Sequence, residues 1–137
     1  MTREEFVAFV RRARQGVVAT VDAGGNPEAA LVGLAATDDG DLLFDSYTAT
    51  RKVDNLRAHP RAALVIGWDG GVSVQVEGSA EILSGPERDA YGKVYLAQFP
   101  GSRALAAGFS IVRVVPDWLR HYDARPDPAL VIEGNPW

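Results

Sequence analysis

The chain has 137 residues, 47% of them apolar, which is enough for one domain around one core. Its 14 basic and 18 acidic residues leave a net charge of −4, which argues against a nucleic-acid surface. With no cysteine, neither a disulfide framework nor a thiolate metal site can form.

Thr2-Arg-Glu-Glu5 reads as a capping box, and Phe6, Phe9, Val10 and Ala13 recur at helical spacing, so residues 3–14 are predicted to form an amphipathic helix. Gly16 follows as a stop. Val17–Val21 and Glu28–Thr37 read as strands joined by the turn residues 22–27. Asp38-Asp-Gly40 is a second tight turn, and Asp41–Ser46 completes a three-stranded meander. A short helix is expected over 50–58, ended by Pro60. Strands 61–68 and 72–83 flank the turn at Asp69-Gly-Gly71, with Ser73, Gln75 and Glu77 on the face opposite Val72, Val74 and Val76.

Ser84-Gly-Pro-Glu87 starts a helix that Phe99-Pro-Gly-Ser102 breaks. Residues 103–107 are expected to form one more helical turn. Phe109–Tyr122 reads as a long last strand in which Pro116 forces a bend or an edge. The tail from Asp123 reads as a loop. About six strands in hairpin order predict antiparallel pairing, and closure into a small barrel with peripheral helices removes the exposed edges. No linker or repeat divides residues 1–137, so a single domain is expected.

No apolar run approaches a membrane span, and Met1-Thr-Arg-Glu-Glu5 lacks a signal-peptide pattern, which predicts a soluble cytoplasmic protein without a membrane partner. His59 and His121 have no partner at metal-ligand spacing, so no metal site is expected. No Ser stands in a nucleophile elbow, no phosphate-binding glycine motif is present, and no catalytic residue is identifiable. What stands out is Thr50, Arg51 and Lys52, a hydroxyl and two cations where a strand ends and a helix begins. Free amides and the helix dipole favour an anion there, and a phosphate suits that geometry. The same residues also read as an ordinary helix start with two solvated cations. An anion site without an acid, base or nucleophile suggests chemistry carried by a bound cofactor.

Taken in order, the first helix, Val17-Val-Ala-Thr-Val21, Gly-Asn-Pro27, Asp-Asp-Gly40, Thr50-Arg-Lys52, Asn55-Leu-Arg-Ala-His-Pro-Arg-Ala-Ala-Leu64 and Val76-Glu-Gly-Ser-Ala-Glu81 resemble the pyridoxamine 5′-phosphate oxidase-like family of flavin-binding split barrels. The resemblance covers roughly residues 5–122. It implies a mainly β fold, a six-stranded antiparallel split barrel that forms a homodimer with FMN at the subunit interface. It places the flavin phosphate on Thr50, Arg51 and Lys52, and the ring along Leu31, Val32 and Gly33. Phe44, Asp45 and Ser46 would line the same site, and Ser73 or Gln75 would reach the cofactor from the fifth strand.

The function implied is that of an FMN-dependent oxidoreductase acting on a small molecule, with Trp68 or Trp118 as candidate walls of the substrate side. An F420-dependent reductase and a non-catalytic flavin carrier are the alternatives on the same barrel. The family's vitamin B6 oxidases carry an Arg early in the second strand, where this chain has Ala29 and Ala30, so pyridoxamine phosphate is not the expected substrate.

Overall fold

The computed structural model describes residues 1–137. Three helices and eight strands follow in the order α1 (Arg3–Ala13), β1 (Gln15–Val21), β2 (Pro27–Gly33), β3 (Ala35–Ala36), β4 (Leu42–Tyr47), α2 (Arg51–Ala58), β5 (Arg61–Ile66), β6 (Val72–Ile82), α3 (Gly85–Gln98), β7 (Phe109–Asp123) and β8 (Leu130–Gly134). All pairings are antiparallel.

The sheet runs β2-β1-β5-β6-β7-β4-β3. Its two end strands, β2 and β3, are consecutive pieces of one segment that bends at Leu34, so the sheet curls back on itself. Leu34 leaves the ladder there: its amide donates to Arg14 O at 3.0 Å, and its side chain is buried. The expected barrel therefore holds, with the predicted strand 28–37 divided at this bend. The two ends of the path do not pair with each other, and β2 has a ladder partner, β1, on one side only.

The interior follows from period-two alternation. In β5, Ala62, Leu64 and Ile66 are buried while Arg61, Ala63 and Val65 face outward. Val18, Phe44, Val74, Val76, Val112 and Val114 fill the same core. Helix α1 plugs it with Phe6, Val7 and Val10. The predicted capping box starts that helix: Glu5 N donates to Thr2 Oγ1 (3.1 Å) and Thr2 N to Glu5 Oε2 (2.7 Å). A second cluster lies under α3, where Tyr95 packs with Ala35, Leu43, Leu83 and Ile111.

Two expectations fail. Residues 103–107 form turns rather than a helical turn, and Arg88 holds them by donating towards the carbonyls of Ala104 (3.5 Å), Ala106 (3.5 Å) and Phe109 (3.1 Å). The tail is not all loop. Leu130–Gly134 pairs with Leu119–Asp123 as β8, because β7 runs past β4 and leaves its last residues free on that side.

Pro116 sits opposite Gly78 where the β6–β7 register shifts, so the ring falls at a bulge. The extra residue, Asp117, turns outward to pair with Arg61. Gly78 is needed there, since a Cβ would overlap the Val115 carbonyl oxygen. Gly78→Ala is expected to lower stability by roughly 2 kcal/mol through overpacking against backbone. A lower urea midpoint with an unchanged slope would show it.

Candidate phosphate site at the start of the second helix

The β4–α2 junction bounds a cavity of about 220 Å³ lined by Val18, Thr20, Glu28, Ala29, Ala30, Thr50, Arg51 and Lys52. No side chain caps α2. The Thr50 hydroxyl turns back instead, 3.1 Å from Tyr47 O and 3.0 Å from Ser46 Oγ, and the Thr50 carbonyl accepts from Asp54 N at 3.2 Å. The first-turn amides thus keep their donor capacity at the positive end of the helix dipole. Arg51 and Lys52 border the cavity, and no carboxylate pairs with Lys52.

One carboxylate faces this donor set. Glu28 Oε2 lies 2.9 Å from Arg51 Nη1, and Glu28 Oε1 accepts from Asn55 Nδ2 at 2.7 Å. The other Asn55 amide hydrogen goes to Thr20 Oγ1 at 3.0 Å. Asn55 is buried, so this network fixes α2 to β1 and β2 from beneath the cavity. The Glu28 side chain is 17% exposed and that of Arg51 82%, so the carboxylate is the fixed partner and the guanidinium the movable one. Arg51 also acts further along the hairpin. The Asp22 carboxyl is held below its usual range by the Asn26 and Gly24 amides, and the charge of Arg51 adds to that.

Two cations and uncapped amides around this volume suit a phosphate group. The match is incomplete at β2, where Ala29 and Ala30 offer no second arginine and Glu28 opposes an anion.

The remaining candidates fall elsewhere. Ser46 is buried and does not line the cavity, touching it only through Thr50. Leu31, 60% exposed, stands on the outer sheet face opposite Val17, and Ser73 and Gln75 lie on the same face of β6. Trp118 borders a shallow hollow there with Gln75 and Val65, whereas Trp68 is beside Phe9 and Arg12 on another side. Val32 and Phe44 point into the main core, leaving only backbone atoms to a ligand. Gly33 and Asp45 meet under α3, where Tyr95 OH donates to Asp45 Oδ1 at 2.9 Å and lies 3.4 Å from Gly33 O. Ser102 Oγ is 3.4 Å from Asp45 Oδ2.

Sequence reasoning missed Glu28, Asn55 and Tyr95. The β1–β2 hairpin register, which pairs Thr20 with Glu28, was the available signal for the first. A polar Asn55 on the buried side of α2, between Val53 and Leu56, was the signal for the second.

The curled antiparallel sheet with its peripheral helices is the fold of the split-barrel proteins. The sequence profile of the pyridoxamine 5′-phosphate oxidase family matches residues 2–123, and the chain belongs to that family. It is 40% identical over 100 residues to the pyridoxine/pyridoxamine 5′-phosphate oxidase of Cupriavidus taiwanensis, covering 72% of this chain and 46% of that one. The chain spans less than half the length of the curated relatives it matches. Its fold is shared with a pyridoxamine 5′-phosphate oxidase-related, FMN-binding protein of Nostoc punctiforme (TM-score 0.74, 16% identity, 93% of this chain and 85% of that one). An F420 reductase superposes with a TM-score of 0.66 at 25% identity, over 82% of this chain and 93% of that one.

Tyr95 provides a test of the α3 contact. Burial raises its pKa above the ordinary 10.0, the charge and hydrogen bond of Asp45 raise it further, and Arg14 opposes them. The unfolded chain ionises this phenol near its ordinary value while the folded chain keeps it neutral. Stability is therefore complete below about pH 10 and falls as pH rises above it. Tyr95→Phe is expected to flatten the alkaline slope of Tm measured between about pH 8 and 11.

Proposed function

We propose that the chain is an FMN-dependent oxidoreductase acting on a small molecule other than pyridoxamine phosphate, with the flavin phosphate held at the start of α2. The observation that carries this reading is the conjunction of Thr50, Arg51, Lys52 and an uncapped helix start around one cavity, in a chain of this family. Arg51 and Lys52 would neutralise the phosphate, and the α2 amides would fix its position. The network of Asn55, Thr20 and Glu28 would keep α2 seated while the ligand exchanges. When bound, FMN would supply hydride transfer at its ring nitrogen N5, and the protein would supply orientation and exclusion of water.

A second copy of the chain would complete the site. The outer sheet face carries Leu31, Val65 and Ala63 exposed beside Val17, Ala19 and Trp118, an apolar strip at the rim of the proposed flavin position. An F420-dependent reductase is the second reading, favoured by the likeness to an F420 reductase.

The wild-type protein is expected to quench FMN fluorescence on titration. The double variant Arg51→Ala/Lys52→Ala should lose that binding by about 100-fold or more while keeping its circular dichroism spectrum. Retained FMN in the variant excludes the assignment, and a wild-type response to F420 alone moves the protein to the deazaflavin reading. Sedimentation equilibrium is expected to give a dimer for the wild type. Leu31→Glu should shift it to monomer, since it would place a carboxylate in the apolar strip.

A further inference from the structure

The cavity contains its own anion. Glu28 is held from below by Asn55 at 2.7 Å and turns its other oxygen to Arg51 at 2.9 Å. Few exposed cation pairs need so well fixed a carboxylate, and most contribute little because solvent screens them. Here the carboxylate is largely buried, and it borders the same space as Lys52 and Thr50. A phosphate entering that space meets a guanidinium that is already engaged and a negative charge that Asn55 holds in place.

We infer that Glu28 is a resident counter-anion that sets the pocket's affinity for phosphate. It occupies Arg51 when no ligand is present and releases it to an incoming phosphate. It then remains facing that phosphate as a like charge, so the bound group stays exchangeable. The inference rests on the reading that this pocket takes a flavin phosphate.

The charge arithmetic gives the direction. Arg51 and Lys52 supply two positive charges and Glu28 removes one, leaving a single net positive charge for a phosphomonoester that carries nearly two negative ones. The other carboxylates nearby are peripheral. Asp54 is exposed on α2, and Asp22 is engaged by the amides of its own turn. Glu28 is therefore the acidic group whose removal should change anion binding most.

Glu28→Gln keeps an oxygen to accept from Asn55 and removes the charge. If Glu28 instead served to position Arg51 for the ligand, the same change would weaken binding, so the sign of the effect decides. Inorganic phosphate would be titrated at constant ionic strength into isotope-labelled wild type and Glu28→Gln, following the amide signals of Arg51, Lys52 and Val53. FMN and riboflavin would be titrated in parallel, after equal urea midpoints have shown that the variant folds. The expected result is roughly tenfold tighter phosphate and FMN binding in the variant, with riboflavin unchanged.

Weaker or equal phosphate binding in Glu28→Gln overturns the inference, as does absence of any phosphate response at these amides in both proteins. In the first case the flavin assignment stands wherever wild type still binds FMN more tightly than riboflavin. Tighter phosphate binding in the variant without binding of either flavin upholds the role of Glu28 and removes the flavin assignment.

Discussion

The structure depends on one segment serving two neighbours. Pro27–Ala36 pairs first with β1 and then, beyond Leu34, with β4, so the two ends of a seven-strand path belong to a single stretch of chain. This requires a residue that leaves the ladder without orphaning its amide, and Leu34 does so by donating to Arg14 O. Arg14 meets it in a left-handed conformation that ends α1. The turn from α1 into the sheet and the bend that closes the sheet are therefore one local arrangement, with the Leu34 side chain as its apolar filling.

The cavity at the start of α2 is framed by the same hairpin. β1 and β2 supply Thr20 and Glu28 at paired positions, and α2 supplies Asn55 to both of them. One amide group ties the β1–β2 hairpin to a helix more than twenty positions further along the chain, and the cations of α2 border the cavity above it. Such an arrangement separates a preformed part, the helix amides and the partly buried carboxylate, from an adaptable part, the exposed side chain of Arg51.

Much of this was legible in the sequence. The capping box, the three turn signals and the alternation in β6 each have a local cause, and each is found where the pattern placed it. The position of Thr50, Arg51 and Lys52 at the strand-to-helix junction was legible for the same reason, since that junction is a local event. Glu28 was not. Its meaning comes from Arg51 and Asn55, which lie more than twenty positions away and reach it only after the sheet has curled. β8 was missed because a five-residue strand after two prolines carries a weak signal, and its partner surface exists only where β7 outruns β4. The proline in β7 was readable as a disturbance, but the bulge that resolves it depends on Gly78 across the ladder.

Arg88 joins α3 to the backbone of the segment after it, aiming one guanidinium at the carbonyls of Ala104, Ala106 and Phe109. Because it grips main-chain oxygens rather than side chains, it does not depend on which amino acids stand at those positions. Its exposed positions, Arg103 and Ala107, are therefore free to change without loosening that grip, while Ala104 stays committed to the cluster under α3, so new surface chemistry can be acquired there without rebuilding the barrel.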